Sequence, residues 1–396
     1  MKLPIVHFDC VYFHGDKPCQ PNKLYGIFCD TCNLYERDEE IREEFPAIMP
    51  GYYEIPADKF VKIIIIKLDA MGDVLRTTSI LPSLKKKYPD SCIYWITKER
   101  SFPVLKDNLL IDEIYFDSED ITHLFNEEFD IAINLDSGVE SCTIMNNIIA
   151  GEKSGYELIN NKPYPANEPA NQWYLMGIDD NFKKKNNKTY HRLIHEICSL
   201  PYENSKPFLG IGSDVKKRAA EIKKSFGIDR YTGFFLVNLG GGNRWQYKKW
   251  TAEGYTELIN RLSQNPGECV GIIAGDEDRE FYNRIENTIA KNDNIIKFGC
   301  DNTVEDFISI ITLTDKIFTS DSLAFHIATA LDKYVVVITG PTSNTELDVF
   351  GSGRIIVSKE VDCLCCYLNK CDKTVTCMNT VSVPQVYEAL TGETET

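Results

Sequence analysis

No stretch of this sequence is apolar for anything near the ~20 residues that cross a bilayer; its longest apolar runs, such as Val335 to Thr339, are far shorter. Met1 to Cys10 mixes Lys, Pro, His and Asp, and so lacks the pattern of a secretory leader. Positive charge is in deficit too: the formal net charge is −16, which disfavours non-specific binding to nucleic acid and leaves at most peripheral contact with an anionic membrane. Local basic runs remain at Lys85 to Lys87, Lys183 to Lys185 and Lys216 to Arg218, each either a meeting point for an anionic acceptor or a solvated helix face. Together these absences lead us to expect a cytoplasmic protein without a nucleic-acid partner.

What is present is an ordinary globular composition, 43% hydrophobic and 26% charged, over 396 residues. That length exceeds one ordinary core and suits two domains of about 150 residues each plus extensions. The 14 cysteines are many for a reducing compartment, and nine of them fall at the two ends. There, clustered thiols point to metal rather than to disulfides. Cys10, Cys19, Cys29 and Cys32 form a C-x8-C-x9-C-x2-C pattern among Pro and Gly, where a four-thiolate site would supply order that the loops lack; the same residues could instead pack as small hydrophobes. Cys363, Cys366, Cys371 and Cys377 give a second compact quartet, with Cys365 as bystander, suited to structural zinc or iron.

Lys62 to Ile66 reads as a buried parallel strand that runs into Gly72, which frees the backbone to turn, and then into a helix opened by Asp73. An Asp in that place caps its helix; the same carboxylate at the carboxyl end of a strand can take a proton from a substrate hydroxyl. Further strands are expected at 92–96, 113–116 and 129–135, with a helix through Leu81 to Tyr88, the alternation of a doubly wound parallel sheet. Asp136 to Gly138 end a strand on the same rim as Asp73. Residues 160–189, rich in Asn, Lys and Pro, read as an excursion over the surface. His191 and His195, four apart on one helix, could clasp a metal or simply pack.

A charged helix, Val215 to Phe226, precedes a second α/β unit. Its first strand, Phe234 to Leu239, runs into Gly240, Gly241 and Gly242, with Arg244, Lys248 and Lys249 close behind. This is neither G-x-G-x-x-G nor a P-loop, yet free backbone and positive charge at a strand end read as a phosphate site. Asp276, Glu277 and Asp278 follow the next strand, where carboxylates could accept from ribose hydroxyls or simply begin a helix. Asp321 is placed to cap a helix whose first N–H groups, on Ser322, Leu323 and Ala324, suit a pyrophosphate, with His326 one turn in. The strand 335–339 ends in Gly340 to Ser343, another turn at the ligand edge.

The segments KLDAMGDVLRTT, LGGGNRWQYKKW and TSDSLAFHIATAL followed by VVVITGPT resemble, in kind and order, glycosyltransferase family nine, the ADP-heptose:lipopolysaccharide heptosyltransferases. The resemblance covers about residues 60 to 390. It implies the α/β GT-B fold: two facing Rossmann-like doubly wound domains, here with Cys-rich N- and C-terminal extensions. The division so implied is 1–55 extension, 56–205 acceptor domain, 206–230 linker helix, 231–360 nucleotide-sugar domain, and 361–396 Cys-rich loop with a crossing helix at Pro384 to Leu390.

By position the resemblance makes Asp73 the catalytic base, Lys248 the diphosphate-binding lysine, Asp321 a neighbour of the transferred sugar, and Ser322 to Ala324 the pyrophosphate turn. Asp69 stands where Gly or Ser is commoner in that family, and its Trp-Pro is Trp250-Thr251 here. The implied reaction is inverting transfer of heptose from an ADP-activated donor to a glycan, lipid-linked, protein or small-molecule acceptor, without a catalytic metal. Transfer from a UDP- or GDP-sugar, nucleotide-sugar epimerisation, or a non-catalytic sugar-nucleotide-binding subunit are the alternatives.

Overall fold

The isoleucine run from 63 to 66 is wholly buried, as a strand must be when helices cover both faces of its parallel sheet. The structure, a computed structural model, describes residues 5–41, 45, 46, 48, 55, 59–242, 246–368 and 371–393. By contacts the chain divides into two units, residues 1–205 and 206–396. In the first, β1 (Val61–Ile66), β2 (Ser91–Thr97), β3 (Glu113–Phe116), β4 (Glu128–Asn134), β5 (Ile149–Ile159) and β6 (Lys162–Pro165) lie in the order β3-β2-β1-β4-β5-β6. Every pair is parallel except β5 with β6. Its helices are α1 (Gln20–Tyr25), α2 (Met71–Thr77), α3 (Ile80–Lys87), α4 (Val139–Asn147), α5 (Glu168–Ile178), α6 (Asp180–Lys184) and α7 (Tyr190–Ile197).

Residues 160–189 are not the surface excursion their composition suggests. They supply the edge strand β6 and helix α5, with Asn167, Asn171 and Tyr174 buried. Two of these polar side chains go inside with a partner: Asn167 Nδ2 donates to Ile197 O at 2.8 Å, and Tyr174 Oη to Pro163 O at 2.8 Å. The same segment anchors the N-terminal extension. Phe8 packs on Phe13, Phe45, Tyr164 and Tyr174, while Asn22 Nδ2 donates to Asp179 Oδ1 at 3.1 Å.

The second unit repeats the plan. Strands β7 (Gly233–Asn238), β8 (Glu268–Ile273), β9 (Ile295–Gly299), β10 (Lys316–Ser320), β11 (Tyr334–Thr339) and β12 (Gly353–Val357) are all parallel, in the order β12-β11-β10-β7-β8-β9. Its helices are α8 (Ser213–Ser225), α9 (Ala252–Leu262), α10 (Arg279–Glu286), α11 (Val304–Leu313), α12 (Leu323–Ala330) and α13 (Val383–Thr391). Helix α13 belongs to this unit's core: Val386 and Leu390 pack with Trp250, Tyr255 and Phe318, and Trp250 Nε1 donates to Val381 O at 3.0 Å. Thr251 caps α9 by accepting from Gly254 N–H at 3.0 Å. Two six-stranded, mostly parallel, helix-flanked sheets are the GT-B type of α/β fold. Among the described residues no helix is long and apolar enough to cross a membrane.

Strand order reverses between β1 and β4 in one sheet and between β7 and β10 in the other. Such switch points open a crevice at the carboxyl ends of the strands, where ligands of doubly wound folds bind. At the first, Lys67 pairs with Asp136, with side chains only 4% and 3% exposed. Asp136 Oδ2 accepts from the N–H groups of Leu68 and Asp69, and Lys67 donates to Leu135 O at 2.9 Å. Burial pulls the ammonium toward neutrality, but the Asp136 charge, with Asp69 and Asp73, reverses that and holds it above the ordinary lysine range. Asp136 is therefore a buried anchor rather than an open rim carboxylate.

Removing one partner of such a pair strands a buried charge, so Asp136→Ala is expected to cost about 3–5 kcal/mol in urea unfolding. Lys67→Met with Asp136→Leu removes both charges and is expected to recover most of that loss; an equal loss in both variants would show that packing, not charge, holds the site.

Candidate functional site

The turn after β1 runs through Lys67 to Ala70, and α2 begins at Met71. Gly72 is thus inside the helix, not at the turn, and Asp73 is its third residue rather than its opener. Ala70 is the N-cap and the helix has no side-chain cap, so the capping reading of Asp73 is overturned. Its carboxylate instead meets Arg76 Nη2 at 2.6 Å, one helical turn on. The guanidinium in turn lies over the ring of Tyr190, 3.6 Å from its centroid. Tyr190 Oη is 2.6 Å from Thr77 Oγ1, which donates to the Asp73 carbonyl at 2.7 Å. Asp69 is exposed and stands 3.6 Å from Lys67 Nζ.

His191 and His195 do not form a metal clasp. His191 Nδ1 is 3.0 Å from Ser79 Oγ, and His195 Nε2 is 3.2 Å from Ser83 Oγ. Burial lowers the His195 pKa below the usual range, as suits a packed neutral ring. The two rings brace α7 against α3.

At the second switch point, Lys248 Nζ is 2.8 Å from Asp321 Oδ2, which also accepts from Thr342 Oγ1 at 2.9 Å. Lys248 closes the short turn Gln246–Lys248, Asp321 follows β10, and Thr342 follows β11. Burial alone would push the Asp321 carboxyl up; the Lys248 and His326 charges and the two hydrogen bonds outweigh it and hold the group well below the carboxylate range. Asp321 does not cap α12, whose N-cap is Ser322 and which has no side-chain cap. Leu323 and Ala324 are its first two residues, and His326 is buried one turn in.

Of the two residues that hold this corner together, Asn238 was not singled out from the sequence, and Asp278 was read there as a ribose contact or the start of a helix. Asn238 Nδ2 lies within 3.0 Å of Gly240 O, 2.9 Å of Thr319 Oγ1 and 3.2 Å of Ser322 Oγ. Asp278 Oδ2 accepts from the N–H groups of Gly241 and Gly242 at 3.1 and 3.3 Å, while its other oxygen pairs with Lys249. The glycine turn read as a phosphate cradle thus holds one of the chain's own carboxylates. Asp276, the expected ribose acceptor, is exposed and pairs with Arg279 at 2.7 Å. Arg244 lies outside the described residues.

The thiols of the first quartet gather: Cys10, Cys19, Cys29 and Cys32 line one cavity with His7, Phe13 and Phe28. Burial, with neighbouring cysteines, pushes the Cys19 and Cys29 thiols up. In the second quartet burial and the neighbours Cys366, Cys363 and Cys371 push the Cys377 thiol up to about 11. Even so, among the described residues no group of three or more His, Cys, Asp or Glu is arranged to hold a metal ion. The second loop is tied to the turn after β11: Cys365 N–H donates to Gly340 O at 2.8 Å and Tyr367 N–H to Pro341 O at 2.9 Å. Gly340 lies so close to Cys377 that an added Cβ would come 2.3 Å from its Sγ.

Residues 121–375 match the family model described as glycosyltransferase family 9 (heptosyltransferase). Among curated proteins, lipopolysaccharide heptosyltransferase 1 of Campylobacter coli is 38% identical over 55 residues, which span 14% of this chain and only 16% of that relative's length. A glycosyltransferase family 9 structure from Veillonella parvula superposes with a TM-score of 0.65 at 17% identity, covering 84% of this chain and 97% of that one. The ADP-heptose LPS heptosyltransferase II of E. coli gives a TM-score of 0.57 at 17% identity, over 76% and 92% of the two chains. At these identities the likeness to the two structures is one of fold.

A carboxyl depressed in the folded state adds stability above its unfolded pKa of about 3.9 and loses it as pH falls through the lower folded value. Asp321→Asn is therefore expected to be less stable at neutral pH, and to lose less melting temperature than the parent between about pH 4 and about pH 2. Parallel acid limbs in thermal melts would show that Asp321 is not held by its cationic neighbours.

Proposed function

Because the chain belongs to glycosyltransferase family 9, we propose that it transfers a heptose from an ADP-activated donor to an acceptor hydroxyl, in the cytoplasm and with inversion at the anomeric carbon. The observation that carries this reading is the half-buried Lys248–Asp321–Thr342 cluster at a sheet's switch point, beside the start of α12. Departure of a nucleoside diphosphate needs fixed positive charge, and an ammonium with a helix N-terminus supplies it. An ammonium has three N–H groups; Asp321 orients Lys248 through its carboxylate and, at 3.4 Å, its carbonyl, and the remaining N–H serves the diphosphate. The amides of Ser322, Leu323 and Ala324 serve it from the helix end, with His326 behind them.

Asp73 is the base. As the acceptor oxygen attacks the anomeric carbon, its proton passes to the Asp73 carboxylate. The bond from that carbon to the diphosphate oxygen breaks, and its electron pair leaves with the nucleotide. Arg76, held flat on Tyr190, keeps the carboxylate in one orientation. No metal has a part in these steps. The heptose and the adenine nucleotide rest on the family and on the relative named for ADP-heptose; the acceptor is a glycan or another hydroxyl-bearing molecule.

The two thiol quartets belong to the same reading as structural zinc or iron sites. Cys363, Cys366, Cys371 and Cys377 would close on one ion as thiolates, and Cys10, Cys19, Cys29 and Cys32 on another, ordering their loops as four-thiolate sites do. Sites so closed leave no coordination position for substrate.

Incubation with ADP-heptose and a panel of acceptors, followed by intact-mass analysis, is expected to show acceptor gaining one heptose as ADP is released. Asp73→Asn is expected to lower turnover about 10²–10⁴-fold with little change in ADP affinity; near-normal turnover would move the base to Asp69. Tighter binding of UDP or GDP than of ADP would overturn the donor assignment. Elemental analysis of protein purified without added metal is expected to find zinc or iron, with Cys366→Ser losing metal and stability together and Cys365→Ser losing neither. Metal-free protein with an intact fold would sink the structural-site reading.

A further inference from the structure

We propose that Asp278 is a positioning residue for donor binding, a built-in anion that fixes the glycine turn after β7 and thereby sets where Lys248 stands. The proposal rests on the donor role of Lys248 given above. Asp278 is buried at the end of the turn Asp276–Asp278 that follows β8. Two successive backbone N–H groups, of Gly241 and Gly242, converge on its Oδ2 at 3.1 and 3.3 Å. Consecutive amides aimed at one point form the kind of nest that holds phosphate in other folds. Here the anion comes from the chain itself.

The packing shows how closely turn, carboxylate and lysines are fitted. A Cβ on Gly240 would come 2.8 Å from Asp278 Oδ2, and one on Gly241 would come 3.1 Å from Lys249 Cγ and 3.7 Å from Lys248 Cβ. On its other side the turn is fastened to β10, because Ser320 Oγ donates to Gly240 O at 3.2 Å. Asp278 also pairs with Lys249, whose ammonium lies 5.6 Å from the centre of the Phe281 ring. A mostly buried ammonium is tolerated only beside an anion, so Asp278 draws Lys249 inward. Its neighbour Lys248 is left to face Asp321. Two adjacent lysines thus have different duties, and Asp278 decides which is which.

Simple Coulomb attraction points the other way: deleting a carboxylate near an anion site should tighten anion binding. That opposition makes the test decisive. ADP affinity is measured by calorimetry on the full chain for the parent, Asp278→Asn, Lys248→Ala and the double variant, with thermal melts alongside. Asp278→Asn is expected to weaken ADP about tenfold when Lys248 is present and less than about twofold when it is absent, the coupling of residues that act through one another.

Equal weakening in both backgrounds would make Asp278 a general support of the fold and overturn the proposal. Tighter binding in Asp278→Asn would overturn it as well, since the carboxylate would then be competing with the donor for the turn amides. Unchanged ADP affinity in Lys248→Ala alone would overturn the donor reading itself, and this proposal with it. If Asp278→Asn does not fold, Asp278→Glu, which keeps the charge and displaces it by one methylene, is expected to show the same dependence on Lys248, and additivity there would again refuse it.

Discussion

An ammonium drawn wholly or partly out of water needs an anion within reach, and that constraint organises both halves of this protein. Where β1 parts from β4, Lys67 meets Asp136; where β7 parts from β10, Lys248 meets Asp321. The two pairs occupy equivalent corners of equivalent sheets, yet they differ in access. The first is sealed and further tied to the backbone of Leu68 and Asp69. The second keeps 15% and 16% of its side chains open to solvent. A sealed pair can only hold a loop in place, whereas an open one can also present charge to a ligand. The first corner is scaffold under Asp73, the second the one proposed to receive the diphosphate.

Each group to which a role is proposed is held from behind by other side chains. On the first unit, α7 does this work: Tyr190 supports Arg76, and His191 and His195 meet Ser79 and Ser83 beside and within α3. On the second, Asn238 ties together the glycine turn, β10 and Ser322. Such bracing removes the rotamer freedom that a loosely held lysine or aspartate would otherwise lose on binding.

The strands were legible because β-branched runs such as 63–66 and 335–338 have few alternatives to a buried parallel sheet. The strand ends that carry Asp73, Lys248 and Asp321 followed from them. Partner choice was not legible. Lys67 and Asp136 are 69 residues apart, Lys248 and Asp321 are 73 apart, and Asp278 lies 37 residues from Gly241. Nothing local distinguishes Asp278, which fills a backbone nest, from Asp276 two residues earlier, which stays in solvent. Composition misled at 160–189 because Asn counts as a loop residue unless the carbonyl that will satisfy it is known. Gly72 misled because a glycine can serve within a helix as well as at a turn.

The contact between Gly340 and Cys377 has a consequence for how these sequences can diverge. The sulfur fills the space a side chain at 340 would need, so a larger residue there is admissible only alongside a smaller one at 377. Position 377 can shrink by itself, but 340 can grow only after it has. The order of change is thereby set, the thiol of the loop first and the glycine after β11 second.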